Sequence, residues 1–256
     1  MNFEENFDMG EISYVNGEYE KAIIYFEECL KINKSYDCLN YIGCCYLGLN
    51  DYNTAIKIFN SIIVDCSNSD RPVFNLGRAY LKLGQLDNAL MNFKKAISIN
   101  PNSEDGYYYL GVYYHQIGDL ENAKMYYKKS LEIDDEQSET YFNLGICCFK
   151  LKLFNEALDA FRHAYKYDNE CIDAIQNKAL VYIDMGNYEK ALKELYTFNK
   201  FQPDDIDNII DIAHCYYKMH DFENSCIWDK KALAIDPQNE FANRLSRILS
   251  TKLKSK

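Results

Sequence analysis

Ten cysteines and four histidines are the side chains best equipped for chemistry in this chain. Metal binding needs such groups clustered. No C-x-x-C occurs, and the adjacent pairs Cys44-Cys45 and Cys147-Cys148 would point about 100° apart on a helix, so a single ion does not easily take both. A catalytic thiol needs a cation to lower its pKa. Cys44 has no basic neighbour in the sequence around it, so it reads as a small apolar filler. No G-x-S-x-G, H-E-x-x-H, phosphate-binding loop or dinucleotide fingerprint is present. These residues point away from catalysis, metal and cofactor, and the expectation is a protein that is not an enzyme.

The elements that would position any function come next. The 256 residues are 48% hydrophobic and 26% charged with 11 Gly and 4 Pro, a composition that folds and buries a core. The net charge of −11 repels a phosphate backbone on average, so no nucleic-acid partner is expected. The first residues, MNFEENFDMGEIS, have no basic start or apolar run, and no stretch approaches the ~20 apolar residues that a bilayer needs. A cytoplasmic protein with reduced thiols and no membrane partner is expected.

Glycine spacing gives the organisation. Gly10, Gly43, Gly77, Gly111 and Gly145 stand 33, 34, 34 and 34 residues apart, and Ala179 and Ala213 continue the series. Gly17, Asn50, Gly84, Gly118, Lys152, Gly186 and His220 form a second series seven residues behind the first, so nine of eleven glycines fall on two repeat positions. A third runs Ala22, Ala55, Ala89, Ala123, Ala157, Ala191, Ser225, with Phe26, Phe59, Phe93, Tyr127, Phe161, Leu195 and Asp229 four residues on. The i, i+4 spacing puts these last two rows on one helix face. Each repeat is therefore a helical hairpin. A small residue on the first helix faces Ala on the second so that the axes approach closely, and the aromatic fills the wedge beside them. The second series suits a residue just past a helix end, where φ > 0 is common and Lys152 and His220 are costly choices. Asp51, Asp119, Asn187 and Asp221 follow as N-caps, and Pro101, Pro203 and Pro237 mark where the second helix stops.

This pattern resembles the tetratricopeptide repeat, whose signature is matched by FNLGRAYLKLGQLDNALMNFKKAISINP, residues 74 to 101. The resemblance implies an all-α fold, a right-handed superhelical α-solenoid of seven helix-turn-helix hairpins. Its repeats run 3–35, 36–69, 70–103, 104–137, 138–171, 172–205 and 206–239, with a C-terminal capping helix over 240–254. Repeat 7 departs most, with Ser225 for Ala and Asp229 for the aromatic, so that its second helix packs loosely or uses Trp228. Repeat 6 places Phe198 where a small residue is usual, and repeat 1 has Ser13 where most others carry Tyr. In the final segment Phe241, Leu245, Ile248 and Leu249 form an apolar stripe over the last hairpin, with Arg244, Arg247, Lys252 and Lys254 toward water. Six acidic residues among the first twenty and five basic ones after Glu240 leave head-to-tail association open, although a monomer is expected.

The resemblance also implies a concave groove, lined by the first helices, that takes an extended peptide. Its second positions are mostly acidic: Glu4, Asp37, Asp105, Glu139, Asp173 and Asp207, with Arg71 the exception. Phe74, Tyr108 and Phe142 take the fifth position and Phe149 a twelfth, while Asn75, Asn143 and Asn177 take the sixth and Arg78 the ninth of repeat 3. An Asn side chain carries two donors and an acceptor, enough to hold a peptide amide bidentately. Acidic residues at helix starts are equally favoured by the helix dipole, so the acidic row serves either purpose. The expected partner is a protein segment with apolar and basic residues. Clamping of an acidic C-terminal tail is not expected, because Tyr41, Phe7 and Glu11 stand in the repeats before Arg71 and Asn75. By the same frame His115 and His214 lie three layers apart, roughly 30 Å at ~10 Å per layer, too far to act together. An intracellular peptide-sensing regulator acting through a separate effector is the alternative.

Overall fold

The computed structural model describes residues 1–66 and 68–254. These residues form fifteen α-helices and no strand: α1 Phe3–Val15, α2 Tyr19–Ile32, α3 Tyr36–Gly48, α4 Tyr52–Asp65, α5 Asp70–Lys82, α6 Leu86–Ile99, α7 Glu104–Gln116, α8 Leu120–Ile133, α9 Ser138–Lys150, α10 Phe154–Tyr167, α11 Asp173–Asp184, α12 Tyr188–Asn199, α13 Ile206–Lys218, α14 Phe222–Ile235 and α15 Glu240–Lys254. The chain divides into two compact units, Met1–Asp135 and Glu136–Lys256. In the first, α1 to α8 pack as four successive hairpins, and each odd helix also touches the next odd helix. In the second, α9 to α14 form three hairpins and α15 lies against α14. Both units have the architecture of an α-solenoid.

Each hairpin turns where the sequence spacing places the turn. Gly17, Asn50, Gly84, Gly118, Lys152, Gly186 and His220 all adopt positive φ, between 61° and 81°, so Lys152 and His220 accept the left-handed strain that glycine avoids. At one such turn the Gly84 amide donates to Leu81 O at 3.0 Å and the Gln85 amide to Tyr80 O at 2.9 Å, which satisfies carbonyls that the ending helix leaves open. The next helix starts at once. Asp51, Asp119, Asn187 and Asp221 accept from the amides of Thr54, Asn122, Lys190 and Asn224, as the spacing predicts.

The close helix contact has a steric rule that the sequence pattern alone does not state. A Cβ placed on Gly10, Gly43, Gly77, Gly111 or Gly145 would come within 2.5–2.7 Å of the ring of Phe26, Phe59, Phe93, Tyr127 or Phe161 respectively. These rings are fully buried and lie on the glycine itself. Where the glycine becomes Ala179 the ring becomes Leu195, and where it becomes Ala213 the ring becomes Asp229. In both hairpins that carry a methyl on the first helix, no ring stands at the paired position of the second. Gly77→Ala is therefore expected to lower stability by about 1–3 kcal/mol through overpacking. Phe93→Leu in the same chain should recover much of that loss, as measured by chemical denaturation of the two single variants and the double.

In the last hairpin Asp229 is buried at 1% exposure, and Trp228, the substitute that the sequence offered, is 9% exposed and joins the core. The stripe expected on α15 is corrected. In α15 the buried stripe is Ala242, Leu245 and Leu249, while Phe241 is 47% exposed and Ile248 half-buried. Phe241 instead meets His214 edge-on at 6.0 Å. The buried set is shifted because Ala242, with its small side chain, permits close approach. Phe198 of α12, where a small residue is usual, is accommodated in the core at 3% exposure.

Candidate interaction face

An open cleft of about 410 Å³ lies in the first unit, across the first helices α1, α3 and α5 and reaching Asp105 on α7. Four residues expected at a ligand groove meet here: Phe74, Asn75, Arg78 and Asp105. Phe7, Glu11, Asp37, Asn40, Tyr41, Cys44 and Arg71 complete the lining.

The floor is a connected polar chain on an aromatic bed. Asn75 Nδ2 donates to Asn40 Oδ1 at 3.1 Å, and Arg78 Nη1 donates to Asn75 Oδ1 at 3.1 Å. The Arg78 guanidinium lies 5.8 Å from the centroid of Phe74 and 5.2 Å from that of Tyr109, so a half-buried cation is held by two ring faces and one amide. On the opposite side Tyr41 Oη donates to Glu11 Oε1 at 2.6 Å, and its ring stacks on Phe26 at 4.9 Å. Burial, and then the Glu11 carboxylate, push the Tyr41 hydroxyl up to about 12, so Tyr41 stays a neutral donor across ordinary pH. The exposed rim carries Asp37, Arg71 and Asp105 on α3, α5 and α7.

Cys44 is buried in the core as its reading as an apolar filler expects, although a basic neighbour does approach it in space. Arg78, 34 residues further on, is the cation that the local sequence lacked. Burial nevertheless dominates and pushes the Cys44 thiol up to about 11, so the guanidinium does not make it a thiolate nucleophile. Neighbouring Tyr14 is pushed up to about 12 by burial as well. This floor supplies shape, apolar contact and fixed hydrogen-bonding groups rather than a proton carrier near neutrality.

The remaining candidates are distributed. Tyr108 is buried in the first unit, edge-on to Tyr109 at 5.0 Å. In the second unit Phe142 packs edge-on to Phe161 at 5.8 Å, and Phe149 lies 6.3 Å from Phe154 with Lys152 over both rings. Glu139 and Asp173 are exposed, and Asn143 is half-buried. Asn177 Nδ2 donates to Asp173 O of its own helix at 2.9 Å. The amides of Asn75 and Asn177 are thus each partly engaged, with one N–H of each amide nitrogen left over from these bonds. Sequence reasoning did not select Asn40 and Tyr109, whose partners sit one repeat away. The signal was their place in the repeat frame, one layer before Asn75 and one after Phe74. Among the described residues no three His, Cys, Asp or Glu side chains gather as metal ligands, and no helix is long and apolar enough to cross a membrane.

Stacked helical hairpins with a lined first-helix cleft define the class of repeat proteins that present a surface rather than an enclosed site. The chain belongs to the tetratricopeptide repeat family. Models described as TPR repeat or tetratricopeptide repeat match residues 77–118, 105–170 and 172–205. A model described as anaphase-promoting complex, cyclosome, subunit 3 matches residues 15–96. No curated protein matches the sequence. Among solved structures, the C-terminal part of a TPR repeat-containing protein from Cytophaga hutchinsonii is 19% identical, with TM-score 0.72, covering 93% of this chain and 98% of its own. YrrB, described as a TPR protein with an unusual peptide-binding site, is 20% identical with TM-score 0.69, over 74% of this chain and 97% of its own. MamA is 26% identical with TM-score 0.61, over 64% and 95%.

Proposed function

We propose that this chain is a non-catalytic, cytoplasmic adaptor that binds an extended, apolar and basic segment of a partner protein in the first-helix cleft of residues 1–135. The family's fold is one of protein interaction, and the peptide site named for YrrB makes an extended ligand a natural occupant. The observation that carries the reading is the preformed Asn40–Asn75–Arg78 chain on its aromatic bed. Its side chains are already ordered, so a ligand meets a surface with little rotamer entropy left to lose. Half-buried Phe7 offers apolar contact, Phe74 is buried beneath the Arg78 guanidinium and supports it from below, and Asp37 and Asp105 on the rim favour Lys or Arg in the ligand.

Asp37→Lys tests the rim. Asp37 is exposed but sits in the first turn of α3, so reversing its charge should cost about 0.5–1 kcal/mol of stability through the helix dipole and leave the chain folded. Binding of a partner segment, mapped with the full chain as bait, should weaken, with a smaller dependence on salt. Unchanged affinity and salt dependence would remove the charge-selection part of the proposal.

A further inference from the structure

Asp229 is the residue that the function leaves unused and the fold does not explain. It stands where earlier hairpins place a ring or Leu195, and it pairs in the repeat frame with Ala213 where the ring-bearing hairpins have glycine. Its side chain is 1% exposed, and no donor reaches either carboxylate oxygen with good hydrogen-bond geometry. The Ser246 hydroxyl on α15 is the one polar group that bears on it, and it lowers the carboxyl pKa by less than burial raises it. An ionised carboxylate buried without a partner destabilises whatever buries it.

We infer that Asp229 makes the docking of α15 conditional: the helix closes over a protonated carboxyl and loosens when that carboxyl ionises. Burial pushes the Asp229 carboxyl up to about 6, whereas a released α15 returns it to water and the ordinary carboxylate range. The docked pKa is raised, so docking is strongest when the group is protonated and weakens as pH rises through about 6. With an ordinary value near ~3.9 in the released state, docking should weaken about tenfold between pH 5 and pH 7.5.

Other titrating groups around α15 are distinguishable. On α13, Asp211 is raised to about 6 by burial and then by Asp207 and Asp205, so it favours the folded unit in the same direction. His214, which meets Phe241 of α15, is held low by burial and then by Lys218. Its protonation would loosen α15 as pH falls, the opposite sign. On α14 Lys230 and Lys231 are exposed, the latter lying over the Trp228 ring at 3.7 Å. On α15 Glu240, Arg244, Arg247 and Lys252 are exposed. None of these charged groups supplies Asp229 with a counterion.

The test is hydrogen exchange of the full chain at pH 5 and pH 7.5, corrected for intrinsic exchange, with α5 amides as internal reference. Protection of α15 should fall about tenfold at the higher pH relative to α5. Asp229→Asn should abolish that difference, and Asp229→Leu should do the same, with the Leu195–Ala179 pair as precedent for its packing. Asp211→Asn should leave the difference in place. Equal α15 protection at both pH values, a difference that persists in both Asp229 variants, or one that vanishes only in Asp211→Asn would overturn the inference.

Discussion

Phe93→Ala will destabilise the first unit by about 3–5 kcal/mol, more than the overpacking of Gly77→Ala, and will also weaken ligand binding in the molecules that remain folded. The ring is fully buried, lies on Gly77, and packs against Phe74 at 6.1 Å and Tyr109 at 5.8 Å. Those two rings hold the Arg78 guanidinium. Removing Phe93 leaves a cavity beneath the aromatic bed, and the surrounding helices close it only partly. Denaturant unfolding gives the stability change, and calorimetry under conditions where the variant stays folded gives the affinity. A loss below about 1 kcal/mol would mean that the helices collapse onto the vacated site, contrary to a close-packed hairpin.

The second large effect is on binding. Replacing Asn40, Asn75 and Arg78 together with Ala should cost on the order of 2–4 kcal/mol in affinity for the partner segment, or about 30-fold to 1000-fold. The three side chains form one connected chain, so single replacements should not add. Asn75→Ala alone frees Arg78 Nη1 and Asn40 Oδ1, and part of the full loss should already appear there. A triple variant that folds and binds with unchanged affinity would show that this floor is scaffold rather than contact surface.

What the sequence revealed and what it withheld follow from the range of the interactions. The seven turns, with the strained Lys152 and His220 among them, were legible because a φ > 0 position is set by residues beside it in the chain. Four N-caps were legible for the same reason. The aromatic row was legible as core, but the closeness of each ring to the glycine of its own hairpin, where an added Cβ would stand 2.5–2.7 Å from it, was not. The burial of Asp229 was not legible either, because it depends on contacts with other helices. In α15 the periodicity gave a helix, yet Ala242 rather than Phe241 faces inward, because contact with α14 and His214 sets its rotation. The cleft was partly legible. Phe74, Asn75, Arg78 and Asp105 occupy lining positions of the repeat frame, whereas the bond from Asn75 to Asn40 and the proximity of Arg78 to Cys44 join residues about a full repeat apart.

The most direct measurement is site-specific photo-crosslinking with benzophenone placed at residue 37 on the cleft rim or at residue 91 on α6, where Met91 is 62% exposed. With the partner segment bound, the cleft account predicts a strong crosslink from position 37, lost on competition with unlabelled segment, and none from position 91. A crosslink from position 91 with none from position 37 would contradict it and place the ligand on the second-helix face.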